Sequence, residues 1–364
     1  MGLRTKAAIA QGHGERLIVD EIEVRSPLAG EVLVEMKASG LCHTDLSAME
    51  GKFPVRLPAV LGHEGAGVVV ECGPGVSGVA PGDAVILNNT AHCGQCLPCL
   101  SGKTGYCDSM AMDARAPSPF TWRGESLGRM GPAASFAGHT IIPPDRLTRL
   151  GPGIGFDTAS LVPCGVMTGV GAVNNVAKVE AGSKVLVFGM GSIGLNVLQA
   201  CRLAGAASIV ALDTNAAKEA VAREFGATDF LNPADSDLPL EKRVRTLLGS
   251  WADYAFDCVG HPATVRQAVA MVNPYWGVMV AVGITPVGDQ LSLPASTFYF
   301  GRTVRGTFMG DCNPVVETPQ ILDWYRDGRL AIDPLITHRI ALEDINTGFD
   351  LMKSGKSIRT VVMF

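Results

Sequence analysis

The chain has 364 residues, 47% hydrophobic and 18% charged, with 43 glycines and 22 prolines, a composition that excludes a disordered or fibrous chain. Such a length exceeds what one core of about 100–200 residues accommodates and predicts two domains. The net charge of −5 carries no basic run longer than pairs such as Lys242-Arg243, which excludes a nucleic-acid or anionic-lipid footprint and points to a small ligand.

Residues 1–10 form a mixed start rather than a basic patch followed by an apolar run, and no stretch of about 18 uncharged apolar residues follows. The expectation is an unexported, cytoplasmic chain without a membrane span. Ten cysteines in such a chain read as thiols and metal ligands rather than disulfides. Short alternating or β-branched runs at 6–9, 31–36, 67–71 and 83–87 end at turns such as Gly73-Pro74-Gly75 and Pro81-Gly82, which predicts a small, irregular β-rich domain.

From Lys184 the texture changes to a strand at 184–188, a glycine turn, a helix at 195–204, a strand at 208–212 and a helix at 216–225. Further strands are expected at 254–257, 277–282 and 303–307. Alternation of this kind predicts a parallel sheet covered by helices, an α/β doubly wound domain. The last ~55 residues, with segments at 322–325, 345–352 and 359–364, are expected to return to the first domain.

Cys93-Gly-Gln-Cys96-Leu-Pro-Cys99 followed by Cys107 sets four soft ligands in one short loop, the requirement of a closed tetrahedral zinc site. With every position taken by sulfur, that metal holds structure and does no chemistry. A catalytic zinc needs three protein ligands and an open place. Candidates are Cys42, His63 and Cys164, each in a loop marked by glycine or proline, although spacing alone does not unite them.

Gly189-Met-Gly191-Ser-Ile-Gly194 follows an apolar strand and opens a helix, and Asp213 ends the next strand 19 residues beyond Gly194. Glycines there allow a tight turn, close backbone approach to a pyrophosphate and close helix packing, with the phosphate at the helix N-terminus. Asp213 would accept ribose hydroxyls and repel a 2′-phosphate, which favours NAD over NADP.

Together with Gly40-Leu-Cys-His-Thr-Asp45, Leu61-Gly-His-Glu-Gly-Ala-Gly67, Cys164-Gly-Val-Met-Thr-Gly169, Asp333-Pro-Leu-Ile-Thr-His338 and Ser354-Gly-Lys-Ser-Ile-Arg-Thr360, these motifs resemble the zinc-dependent medium-chain alcohol dehydrogenases from end to end. The likeness is to the classical and glutathione-dependent formaldehyde branches. It implies a GroES-like catalytic domain of residues 1–165 and 309–364 carrying the zinc lobe 93–107, interrupted by a Rossmann NAD-binding domain of residues 166–308, with the active site in the cleft between them. Cys42, His63 and Cys164 would share the open zinc, so that the chain holds two zinc ions. By the same resemblance Asp45 fixes the ring of His63, Glu64 lies close to the metal, and the Thr44 hydroxyl hydrogen-bonds the alkoxide and passes its proton to the nicotinamide ribose. His43 and Arg359 would face the pyrophosphate, and Lys218 would join Asp213. Thr168, Ser192, Ile193, Val282 and Ile284 would complete the cofactor site. The implied reaction is oxidation of a primary alcohol to an aldehyde, or the reverse, by hydride transfer to NAD.

Departures bear on the substrate. Ser47 stands where many relatives place a histidine that ends the proton relay. The glutathione-dependent branch needs an acidic pair and an arginine at positions that here are Phe53, Val55 and Ala111, so a bulky aromatic or terpenoid alcohol is the expected substrate and a glutathione adduct of formaldehyde the alternative. Asn89 replaces an aromatic ring of the family's pocket, and the segment 108–131 with Trp122 is expected to form a pocket wall. A non-catalytic NAD-binding scaffold is the rival of another class. The apolar segment 290–308 resembles the region through which relatives pair, which implies a homodimer, with a homotetramer as the alternative.

Overall fold

In the computed structural model, which describes residues 2–110, 116–286 and 288–364, the chain divides into two units: Met1–Cys164 with Asn313–Phe364, and Gly165–Cys312. In the second unit the strands Lys184–Phe188 and Ser208–Leu212 are apolar runs whose last four residues are fully covered, as parallel strands packed on both faces must be. The sheet runs Asp229–Leu231, Ser208–Leu212, Lys184–Phe188, Tyr254–Asp257, Val278–Ala281, Thr303–Gly306, with every neighbouring pair parallel. Numbered along the chain that order is 3-2-1-4-5-6, the doubly wound arrangement of dinucleotide-binding domains. Leu186, Phe188, Val210 and Leu212 from the sheet pack with Val244, Val265 and Val269 from the helices Leu240–Leu248 and Pro262–Met271. Each such side chain contributes about 1.5–3 kcal/mol by leaving water.

The first unit is β-rich. Its central strand, Val32–Gly40, pairs antiparallel with Glu64–Cys72, with His139–Ile142 and with the C-terminal strand Arg359–Met363. A second sheet is centred on Leu3–Ala10 and Ile18–Val24, and Ile9, Ile22, Phe120 and Phe136 from around it are fully buried. No helix among the described residues is long and apolar enough to cross a membrane.

Several elements differ from the sequence reading. The strand Ile18–Val24 was not expected, because three acidic residues interrupt its alternation, and the helices Leu240–Leu248 and Pro262–Met271 were not expected either. The expected helix over 216–225 is a tight turn, Ala216–Lys218, followed by a helix, Glu219–Glu224, because the Asn215 side chain caps the amide of Ala217 at 3.0 Å. Trp122 does not line an open wall: it is 8% exposed, packs in the first unit's core, and donates its indole N–H to Asp20 at 2.9 Å. Ala111 lies outside the described residues.

Candidate active site

The register Gly40↔Glu64 brings the end of one antiparallel strand beside the start of the other, so Cys42 and His63 reach the same sheet edge from distant parts of the chain. Cys164 arrives in a π-helical turn, Val162–Val166, a wide turn frequent at functional sites. One ligand atom each from Cys42, His63, Glu64 and Cys164 lies within 4.8 Å of all the others, and all four residues are buried. Gly40 makes the room: a Cβ there would meet Leu161 at 2.8 Å and the Arg359 guanidinium at 2.9 Å.

His63 is held by its far nitrogen. Nδ1 lies 3.0 Å from Asp45 Oδ1, which also accepts the Gly62 amide at 3.1 Å, while Asp45 Oδ2 accepts the Cys42 amide at 3.1 Å. Nε2 is thereby turned toward the Cys164 sulfur, 3.5 Å away. Burial pushes the imidazole toward the neutral form, but the Asp45 carboxylate and the Cys42 sulfur outweigh it and hold the ring at about 10. The Cys164 thiol, hydrogen-bonded to Cys42, holds the Cys42 thiol well below its usual range, and the charges of His63 and Arg359 add to this. Glu64 pairs with Arg359, yet its carboxylate oxygens find no well-formed hydrogen bond among the described residues. Two sulfurs and one imidazole form the three-donor set an open zinc site takes, with the under-satisfied Glu64 carboxylate beside it. Thr44 stands beside them, its Oγ1 3.6 Å from the Cys42 sulfur, and His43 is exposed at the start of the helix His43–Met49.

The second cluster, Cys93, Cys96, Cys99 and Cys107, also places its sulfurs within 4.8 Å of one another. Burial would raise the Cys107 thiol, but Ser109 Oγ at 3.2 Å and the Cys93 amide at 3.4 Å bring it down to about 6. Cys99 is pushed by burial up to about 12. Among the described residues the lobe's own core is Ala91, Cys99 and Cys107, with Cys93, Cys96 and Met110 packed against it.

In the second unit Gly189 has φ 89° and Gly191 caps the helix Ser192–Leu203. A Cβ on Gly194 would collide with the Gly189 carbonyl oxygen, so the turn closes onto the helix only with glycine there. Ile193 is half-buried, and Ser192 Oγ is buried without a partner among the described residues. Asp213 Oδ2 accepts the Met190 amide at 2.7 Å and the Lys218 ammonium at 3.1 Å, which ties the end of one strand to the glycine turn. Thr168 is 6% exposed and Val282 7% exposed, whereas Ile284 is 64% exposed. Arg359 is 5% exposed, with its guanidinium turned to Glu64 rather than free in solvent. Gly40 and Met309, which lies beside Thr168, were not singled out from sequence, because their importance comes from contacts remote in the chain.

Residues 28–152 match the family description "Alcohol dehydrogenase GroES-like domain" and residues 192–327 match "Zinc-binding dehydrogenase". Over the full length of both chains, this sequence is 42% identical to S-(hydroxymethyl)glutathione dehydrogenase of Paracoccus denitrificans and 42% identical to alcohol dehydrogenase class-3 of Cereibacter sphaeroides. Among solved structures, it is similar to an alcohol dehydrogenase zinc-binding domain protein from Burkholderia ambifaria, with TM-score 0.93, 33% identity and full coverage of both chains. It is also similar to benzyl alcohol dehydrogenase from Acinetobacter calcoaceticus, with TM-score 0.91 and 26% identity over 100% of this chain and 99% of that one.

Proposed function

Because the chain belongs to the zinc-dependent medium-chain alcohol dehydrogenase family, we propose that it oxidises a primary alcohol to an aldehyde, and catalyses the reverse, with NAD as hydride carrier. The carrying observation is the convergence of Cys42, His63 and Cys164 within 4.8 Å beside Thr44. A zinc ion held by these three would supply Lewis-acid polarisation of the alcohol oxygen, and a bound dinucleotide would supply the hydride acceptor.

The chain's own residues do the rest. The Thr44 hydroxyl would relay the alcohol proton, accepting it at Oγ1 while its own hydroxyl proton passes toward the nicotinamide ribose, and Ser47, in place of a histidine, leaves water to carry the proton away. Asp45 keeps His63 Nδ1 occupied so that Nε2 is the coordinating atom. Glu64 and Arg359 form the buried charge pair behind the metal ligands, and Arg359 reaches a phosphate only if it leaves that pair. We assign residues 1–165 and 309–364 to catalysis and residues 166–308 to NAD binding, with Gly189, Gly191, Ser192, Ile193, Gly194, Asp213 and Lys218 around the adenosine and pyrophosphate. Thr168, Val282 and Ile284 belong to the nicotinamide end, and His43 to the phosphates.

The names of the full-length relatives support S-(hydroxymethyl)glutathione as the substrate more than they support a bulky aromatic or terpenoid alcohol. A specific observation favours the second reading: Phe53 and Val55 are partly buried against an apolar core and offer no charge to a peptide. Initial rates of NADH formation with S-(hydroxymethyl)glutathione, benzyl alcohol, geraniol and ethanol separate the two. No turnover of any primary alcohol by protein loaded with two zinc ions would remove the whole reading.

A homodimer fits the edge of the second unit's sheet. Among the described residues Thr303–Gly306 is paired on one side only; Phe298, Tyr299 and Phe300 just before it, and Tyr275, whose ring lies 4.9 Å from that of Phe300, with Trp276, are each more than half exposed. Light scattering at the mass of one chain would exclude this assembly.

A further inference from the structure

Thr168 lies in the short helix Met167–Gly171, and its hydroxyl donates to the Met309 thioether at 3.8 Å. Met309 (φ 52°), Gly310 (φ 70°) and Asp311 (φ 54°) are three successive residues in the left-handed region, and two of them carry side chains. L-residues resist that conformation and keep it only where surrounding contacts over-determine it, a condition found repeatedly at ligand clamps.

Asp311 supplies those contacts. Its Oδ1 accepts the Thr307 hydroxyl at 2.8 Å and the Phe308 amide at 3.4 Å, and its Oδ2 accepts the Arg305 guanidinium at 2.7 Å. On the other side the turn is pressed against the helix that carries Thr168. A Cβ on Gly310 would meet the Met167 and Thr168 carbonyl oxygens at 2.8 and 2.9 Å, the Gly310 carbonyl accepts the Asn175 amide at 3.2 Å, and the Cys312 thiol lies 3.4 Å from the Met167 carbonyl.

We propose that Asp311 is a positioning residue for the nicotinamide end of the dinucleotide: its carboxylate locks the Met309–Gly310–Asp311 turn, and the locked turn fixes Thr168 and the Met309 side chain where the ring docks. This inference rests on the NAD-binding reading above and extends it to a group that does not itself touch the cofactor. An asparagine keeps acceptance at Oδ1 and loses the ion pair with Arg305; an alanine loses all three contacts.

The test is a titration of NADH fluorescence with the zinc-loaded protein, its Asp311→Asn variant and its Asp311→Ala variant, alongside melting temperatures and KM for NAD. Asp311→Ala is expected to weaken NADH binding about tenfold, Asp311→Asn by less, with KM for NAD rising in the same order and kcat at saturating NAD falling less than KM rises. NADH affinity within about twofold of the parent in Asp311→Ala, with a lowered melting temperature, would reduce Asp311 to a brace of the fold and overturn the proposal. Where the alanine variant does not fold, parental NADH affinity and KM in Asp311→Asn overturn it. A parent protein that binds no NADH sinks the dinucleotide reading itself, a result distinct from a binding parent with unaltered variants.

Discussion

Asp45 Oδ1 lies 3.0 Å from His63 Nδ1, with Asp45 fully buried and His63 nearly so, and the other carboxylate oxygen accepts the amide of Cys42. One carboxylate thus sets the ring of one metal ligand and the backbone of another. Asp45→Ala is expected to lower zinc affinity at this centre about 10–100-fold while leaving the four-cysteine metal in place. Zinc content after dialysis against a graded chelator checks it, with retention of two zinc ions at the parent's chelator concentration as the contrary result.

Metal removal at the other cluster acts on stability first. With a described core as small as Ala91, Cys99 and Cys107, residues 93–107 are expected to rely on their metal to hold together. Cys99→Ser is expected to drop zinc content from two to one and to open the lobe to proteolysis at lower temperature than the rest of the chain. Limited proteolysis with mass spectrometry reads this directly. Cleavage spread evenly over both units would contradict it.

The two metal clusters differ in how much of each the sequence displays. Cys93, Cys96, Cys99 and Cys107 sit within one loop, so spacing alone announces a shared ligand. Cys42, His63 and Cys164 meet only because the strand pairing Gly40↔Glu64 and a π-helical turn carry them to one edge, which no local pattern records. In the second unit the strands Lys184–Phe188 and Ser208–Leu212 are readable from continuous apolar runs. The helix Leu240–Leu248 buries only Val244 and Leu248, too sparse a stripe to stand out. Nor does anything in the string Phe308–Cys312 signal three left-handed residues in a row, since Gly310 and, more weakly, Asp311 are types found there but Met309 is not.

A pH effect is expected at the first unit's surface. The Arg25 guanidinium beside Glu31, with contacts of 2.5 and 2.8 Å, holds that carboxyl below its ordinary value of 4.5 despite partial burial. A depressed folded-state pKa means stability that is fully present above the unfolded value and lost as pH falls through the folded one. Both side chains are more than a fifth exposed, so solvent screening keeps the contribution to about 1 kcal/mol or less. Melting temperatures of the parent and Glu31→Gln should therefore differ at pH 7 and converge as pH falls below 4.5 and on through the lowered folded-state value. A gap that widens in acid would reverse the sign and exclude this account.

On the proposed NAD-binding assignment, cofactor choice would depend on a contact that does two things. Asp213 Oδ2 accepts the Met190 amide at 2.7 Å, which braces the glycine turn, and the Lys218 ammonium at 3.1 Å, which neutralises that lysine. Replacing Asp213 with serine removes the negative charge that would repel a 2′-phosphate and leaves Lys218 free to attract one. The same change loosens the brace on Met190, so NAD should suffer as NADP gains. The ratio of kcat/KM for NAD to that for NADP is expected to fall about 100-fold in Asp213→Ser, from roughly a tenfold loss on one side and a tenfold gain on the other. A loss with NAD and no gain with NADP would mean that Lys218 does not reach the phosphate, and that Asp213 acts on the turn alone.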